Sequence, residues 1–178
     1  MIKSIINLSI GFLIGVVVGA GAMLIAFPYL FPPPVVNESV AQFDGAFDQP
    51  ASFTGSFRED APGQDFAHWA KGRISVHHRA GNDAWIELKS DFEASAGPNY
   101  WVYLNSRPGI DDEADFLADS ERIPIAKLKS FEGSQIYPTT ISQLNDKQAL
   151  TIWCETFSQY IGSADFVEYL SQAIEPSG

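Results

Sequence analysis

The chain opens with a long apolar segment. No Asp, Glu, Lys or Arg lies between Lys3 and Glu38, and residues 8–27 are almost wholly apolar. A transmembrane helix needs roughly 20 consecutive apolar residues. The pattern therefore predicts a membrane-spanning anchor at residues 5–27.

The orientation of this anchor follows from its flanks. Lys3 and the amino terminus lie in residues 1–4, before the span, which favours a cytoplasmic N-terminus and an extracytoplasmic body, periplasmic or extracellular. A cleaved signal peptide is the alternative, because residues 20–22 are small, as at a cleavage site. The apolar run continues to Phe27, beyond the length of a signal core of about 7–15 residues, and this favours an uncleaved anchor.

Three glycines share one face of the predicted helix. Gly11, Gly15 and Gly19 are each four residues apart, a spacing that lets a second helix approach closely. Self-association through this face is one interpretation. The other is that glycine is simply frequent in membrane helices.

A proline-rich linker follows the anchor. Pro28 and the run at residues 32–34 predict the end of the helix, since proline cannot continue it. Residues 28–50 show no regular pattern, and consecutive prolines favour extended chain. We interpret residues 28–50 as a spacer between the bilayer and a folded domain.

Residues 51–165 have the pattern of an all-β domain. Short runs rich in aromatic and β-branched residues are separated by turn residues such as Gly, Pro, Asn and Asp. Strands at this spacing, with no long helix between them, predict a β-sandwich or jelly-roll-like fold. The predicted strands are residues 53–57, 73–78, 85–88, 100–104 and 149–155.

The C-terminal tail, residues 166–178, has a different pattern. Phe166, Leu170 and Ile174 recur at helical spacing. The spacing favours a short helix between residues 165 and 174, in place of an unstructured tail.

Charge narrows the possible partners. The chain has 22 acidic and 11 basic residues and a net charge of -11, which argues against nucleic acid and against anionic lipid headgroups. Residues 111–121 concentrate part of this charge but lack the spacing of a calcium-binding loop. They are interpreted as a solvated loop, and no metal site is predicted.

Cys154 is the one cysteine of the chain, so no intramolecular disulfide can form. Strand alternation puts Cys154 on the apolar face with Leu150 and Ile152, and Trp153 on the opposite face. A buried structural cysteine is one interpretation, since free cysteine is among the most buried residue types. A redox thiol or a thiolate ligand is the other, and it needs a nearby cation, metal or helix N-terminus.

The three histidines give a weaker signal. His77 and His78 are neighbours on one predicted strand and point to opposite faces, so they cannot chelate together. His68 lies before Trp69 in a segment without strand pattern. Its imidazole could ligate a metal, or it could form ordinary hydrogen bonds within a loop.

Several short motifs, in one order along the chain, resemble the DM-thirteen domain, an electron-transfer domain found beside DOMON domains. The resemblance covers about residues 53–164, with Asn99 where the family usually has Asp, and with residues 111–121 resembling an insertion. The similar segments are residues 53–57, 68–72, 91–92, 97–99, 102–104, 128–129, 133–135, 137, 152–158 and 162–164.

This resemblance implies a β-sandwich outside the cytoplasm. The family's cysteine corresponds to Cys154, which the resemblance implies is redox-active, either as a bare thiol or as a ligand to a group such as haem. His68 then becomes the candidate second ligand, because haem iron commonly takes Cys or His.

Two classes of function follow. The first is a membrane-anchored electron-transfer or redox domain centred on Cys154. The second is a non-catalytic binding or adhesion module in which Cys154 is a buried structural residue. The chain has no G-x-S-x-G, H-E-x-x-H, P-loop or G-x-G-x-x-G motif, so either class is favoured over an enzyme with its own substrate.

Overall fold

A computed structural model describes residues 2–39, 51–78 and 81–168. Its first element is the helix α1, Ile2–Leu30. Within α1, the segment Ser9–Leu30 has a mean hydropathy of 2.5 and is long and apolar enough to cross a membrane. Its most apolar 18-residue window is not buried against the rest of the chain, although Pro28 near its end is buried.

The helix does not end at Pro28, contrary to the sequence interpretation. Pro28 lies inside α1, which continues to Leu30, and the N–H of Phe31 still donates to the carbonyl of Phe27 at 2.8 Å. One proline removes a single hydrogen bond from the helix, and the apolar residues on both sides keep the helical conformation. The helix ends only where the run of three prolines at residues 32–34 begins.

The body consists of eleven strands and two short helices in the described residues. They are β1 (Phe53–Ser56), β2 (Ala70–Lys71), β3 (Arg73–His78), β4 (Asp83–Leu88), β5 (Glu93–Ala94), β6 (Tyr100–Asn105), α2 (Glu113–Ala118), β7 (Ile123–Lys127), β8 (Gln135–Thr140), α3 (Ile141–Leu144), β9 (Ala149–Cys154), β10 (Gln159–Asp165) and β11 (Val167–Glu168).

These strands form two main antiparallel sheets. One has five strands in the order β11-β1-β3-β4-β8, and the other has four in the order β10-β9-β6-β7. The small strands β2 and β5 pair separately. All five strands predicted from the sequence are present, and the all-β fold is confirmed.

One apolar cluster of the described residues joins the two sheets. Ile86 and Leu88 of the five-stranded sheet and Val102 and Ile152 of the four-stranded sheet are fully buried in one cluster. Burying each such side chain contributes roughly 1.5–3 kcal/mol. The sheets therefore pack face to face as a sandwich, and all six residues of β9 are buried, those of its outer face included.

The acidic segment is more ordered than the solvated loop that the sequence predicts. It contains α2, whose N-cap Asp112 accepts a hydrogen bond from the N–H of Asp115 at 2.8 Å. Phe116 of α2 stacks on Trp153 with ring centroids 4.1 Å apart. The segment thus covers the outer face of β9, where Phe116 holds it in place. The run of acidic residues in the sequence gave no indication of this aromatic contact.

The start of the linker is attached to the body. The Glu38 carboxylate accepts hydrogen bonds from Lys129 Nζ at 2.7 Å and from the N–H of Ile136 at 2.7 Å. Glu38 and Ser134 also exchange two hydrogen bonds. Residues 40–50 lie outside the described residues, so the linker and domain boundaries stay predictions.

The segment that follows the four-stranded sheet differs from the helix that its spacing favours. Asp165 ends β10, and Val167–Glu168 forms β11, which pairs with β1. Pairing with an existing strand overrides the helical spacing of these few residues. Residues 169–178 lie outside the described part of the chain.

Candidate functional site

Cys154 is the last residue of β9, at the edge of the core. It pairs with Tyr100 at the start of β6 and with Gln159 at the start of β10. The residue is 2% exposed, and its Sγ–H donates to the carbonyl of Pro98 at 3.2 Å. Cys154 therefore lies on the core face with Leu150 and Ile152, as predicted from strand alternation.

The surroundings of the thiol favour its neutral form. Burial raises the pKa of Cys154, and the adjacent Glu155 carboxylate raises it further. The backbone N–H groups of Phe157 and Thr156 act in the opposite direction without reversing the shift. Since the thiolate is the reactive form of cysteine, this thiol is unreactive while it is covered.

The cover of the thiol is the loop at residues 97–99, between β5 and β6. Asn99 has a φ of 57°, and its carbonyl accepts a hydrogen bond from the N–H of Glu155 at 3.2 Å. A Cβ at Gly97 would lie 2.1 Å from the Tyr100 hydroxyl, so only glycine lets the Tyr100 ring lie against this loop. Burial raises the pKa of Tyr100 to about 12, so the hydroxyl stays protonated.

The turn between β9 and β10 adds a second constraint beside the thiol. The Tyr103 hydroxyl donates to the Glu155 carboxylate. Burial and this carboxylate raise the pKa of Tyr103 to about 12. This hydrogen bond links Glu155, the first residue of the turn, to Tyr103 of β6. Glu155 is thus held both by its side chain and by its backbone N–H, which bonds the Asn99 carbonyl.

His68 lies in a different environment. Its Nδ1 is 3.0 Å from Asp65 Oδ1, and the same carboxylate oxygen accepts the N–H groups of Ala67 and His68. Among the described residues, no hydrogen bond, ion pair or ring contact joins His68 to Cys154. The structure therefore shows no direct contact between the two candidate ligands.

The other two histidines separate as predicted. His77 is buried and lies 3.3 Å from Glu87 Oε2, while His78 is exposed. Within the described ranges, no group of three or more His, Cys, Asp and Glu residues could hold a metal ion.

A cleft of about 770 Å³ lies on the other side of the loop that covers Cys154. It opens between the C-terminal part of α1 and the end of the four-stranded sheet that contains Cys154. Pro98 is shared: it lines the cleft and accepts the Sγ–H bond of the thiol. Residues that line the cleft include Phe27, Phe31, Pro98, Tyr100, Lys127 and Phe131.

The residues around Cys154 do not fit a haem ligated by its sulfur. A ligating thiolate needs a deprotonated sulfur with an open side toward the iron. Here the thiol is protonated, 2% exposed and hydrogen-bonded to Pro98, and Cys154 does not line the cleft. The imidazole of His68 is engaged by Asp65, and its role as a second ligand stays a prediction.

The sequence did not indicate the residues that cover the thiol. Pro98 and Cys154 are 56 residues apart, and a contact over that distance depends on how β6 and β9 pair. The run Gly97-Pro98-Asn99 was recognised as a turn and as part of the family resemblance, and neither indicates a contact with Cys154.

The domain is an antiparallel β-sandwich with one covered thiol at the end of a sheet. The family model described as "Electron transfer DM13" matches residues 56–166. That match covers more than half of the chain, and the protein belongs to this family. No curated protein and no solved structure matches the chain.

Proposed function

We propose that this chain is a membrane-anchored electron-transfer domain that works outside the cytoplasm, with the Cys154 thiol as its redox group. Its membership of the electron transfer DM13 family carries the proposal. The position of the single cysteine supports it, because the thiol lies under one short loop at the end of a strand and not in the centre of the core.

The anchor in this proposal is α1. Its segment Ser9–Leu30 has the length and apolar composition of a membrane span, and Lys3 precedes it. The bias of positive charge toward the cytoplasm favours an extracytoplasmic sandwich. Such a location suits thiol oxidation, because the cytosol keeps thiols reduced.

The redox chemistry is that of a gated thiol. In the closed arrangement, burial keeps Cys154 protonated and covered by Pro98. Movement of residues 97–99 exposes Sγ to water, where the thiolate forms more readily and attacks an external disulfide. The partner's S–S bond breaks: one of its sulfurs forms a mixed disulfide with Cys154, and the other leaves as a thiolate that takes up a proton. The mixed disulfide is the product, because the chain has no second cysteine.

A binding module is the second candidate function. The 2% exposure of Cys154 favours it, since a thiol that never opens is a core residue. In that case, the exposed loops of the sandwich contact a partner, and the cysteine contributes only packing.

A redox titration of the thiol distinguishes the two functions. The full chain in nanodiscs is equilibrated in glutathione buffers of graded potential and quenched with acid. The fraction of Cys154 in mixed disulfide is then measured by mass spectrometry. We expect a reversible transition that is absent in Cys154→Ser and unchanged in Ile152→Val, a core substitution on the same strand that costs about 0.5–1.5 kcal/mol.

The opposite result supports the binding module. A thiol that stays reduced at every potential, and that alkylates only when the chain unfolds, would exclude thiol redox function. A visible absorbance band that disappears in Cys154→Ala would contradict the bare-thiol mechanism and support a haem that Cys154 ligates.

A further inference from the structure

The cleft beside the Cys154 loop runs along the C-terminal third of the anchor helix, from Ala20 to Pro28, and on to Phe31. The 29 residues of α1 measure about 43 Å at 1.5 Å per residue, whereas the hydrocarbon core of a bilayer is about 30 Å thick. The last turn of α1, with Phe27, and Phe31 just after the helix therefore extend into the interfacial layer. A cleft between this segment and the sandwich opens to molecules dissolved in the membrane.

Aromatic rings line this cleft on both sides. Phe27 and Phe31 of the helix segment have ring centroids 5.1 Å apart, and Tyr100 and Phe131 of the sandwich have centroids 5.8 Å apart. Paired rings of this kind pack well against another flat ring. A volume of about 770 Å³ is within the range of ligand pockets, roughly 300–1,000 Å³.

The charge of the cleft is unlike that of the chain. The protein has 22 acidic residues, yet none lies among the described residues that line the cleft, and Lys127 is the charged residue there. An ammonium group donates hydrogen bonds and accepts none. The cleft therefore suits a ligand with an apolar body, a flat ring and oxygen acceptors.

We propose that this cleft binds the head ring of a lipid-soluble quinone. The ring lies between the two aromatic pairs, a carbonyl oxygen accepts a hydrogen bond from Lys127, and the apolar tail follows α1 into the bilayer. The inference rests on the membrane anchoring in the proposed function, and it adds a partner class, because Pro98 separates the bound ring from the Cys154 thiol.

The test uses the full chain in phosphatidylcholine nanodiscs and a photoreactive azido-benzoquinone with a short alkyl tail. Labelled peptides are mapped by mass spectrometry. We expect saturable labelling within residues 97–101 or 127–131, and displacement of the label by an unlabelled decyl-benzoquinone. Lys127→Gln should reduce saturable labelling about three- to tenfold, the loss expected for a partly solvated, charge-assisted hydrogen bond.

Two matched controls accompany these variants. Lys147→Gln removes a lysine that bonds the Glu121 carbonyl, away from the cleft, and should leave labelling unchanged. Phe31→Ala should lower labelling, whereas Phe12→Ala, a substitution at an exposed ring of the same helix outside the cleft, should not.

The outcomes separate this inference from the proposed function. Labelling that does not saturate, that added phospholipid displaces as well as the quinone does, or that ignores Lys127→Gln and Phe31→Ala would overturn quinone binding. The redox titration of Cys154 would still stand. Conversely, Cys154→Ser should retain quinone labelling, so a failed thiol titration leaves the cleft assignment intact.

Discussion

Asn99 holds the loop over Cys154 in its closed shape. Its φ of 57° lies in the left-handed region, where asparagine is among the better tolerated residues that carry a Cβ. Its side-chain Oδ1 accepts a hydrogen bond from Trp101 Nε1 at 3.2 Å. Asparagine at this position, where the family usually has aspartate, keeps the acceptor while removing a charge.

We predict that Asn99→Ala uncovers the thiol. Alanine in the left-handed region costs about 1 kcal/mol, and the substitution also removes the bond to Trp101. The loop should open more often, and alkylation of Cys154 by N-ethylmaleimide at pH 7, followed by mass spectrometry, should accelerate about fivefold or more.

Asp146→Ala is the matched control for this prediction. Asp146 has a φ of 60° but lies before the start of β9, at the opposite end of that strand from Cys154. Equal acceleration in both variants would mean that global unfolding exposes the thiol, and the loop would then not be its gate.

The face of β9 on which Cys154 lies was predictable from the sequence, whereas the loop at residues 97–99 that covers its thiol was not. Alternation along β9 is a local property, so the shared face of Leu150, Ile152 and Cys154 could be read directly. The contact with Pro98 depends on the pairing of strands far apart in sequence, and no local pattern encodes it.

At the level of elements, proline explains two missed strands. β7 contains Pro124 and β8 contains Pro138, and proline weakens the sequence signal of a strand. Each strand lies at an edge of its sheet, where a missing N–H breaks no ladder on the open side. The central strands β3, β4, β6 and β9 carry no proline, and each was predicted.

The attachment of the linker to the body depends on pH. Burial alone would raise the pKa of Glu38, but hydrogen bonds from Lys129 and Ile136 outweigh it, and the pKa lies below the ordinary value of 4.5. The stabilisation is therefore complete above the ordinary glutamate pKa. It is lost as the pH falls through the lowered pKa of the folded state.

We predict that Glu38→Gln destabilises the chain by about 1 kcal/mol at pH 7, a modest figure because both partners are partly solvated. Thermal unfolding at pH 7 and pH 3 measures the difference from the unchanged chain, which should shrink at the lower pH. Glu132→Gln, at an exposed acid near the same edge, should show no such pH-dependent difference. A constant difference for Glu38→Gln across pH would exclude the ionic contribution.

At the scale of the whole molecule, the open face of α1 allows association of two chains. A Cβ added at Gly11, Gly15 or Gly19 would meet nothing within 4 Å. The predicted glycine face is thus accessible to a second helix, and self-association stays a prediction.

We predict that Gly15→Ile weakens this association by about 1 kcal/mol, or about fivefold, because a bulky side chain separates the backbones. Energy transfer between labelled chains in bilayers measures it. Gly21→Ile is the control, since Gly21 is equally open but lies off the face that the other three share. An unchanged signal in Gly15→Ile, or an equal loss in Gly21→Ile, would exclude the glycine face.

The ion pair between Glu38 and Lys129 also limits how far the sandwich can move from the membrane. Only seven residues lie between Leu30, where the helix ends, and the attached Glu38. The eight steps from Leu30 to Glu38 extend at most about 28 Å. With α1 in the bilayer, this short segment keeps the sandwich close to the lipid surface. Encounters with partners in the same membrane then occur by diffusion in two dimensions, and their rate depends on the surface density of those partners.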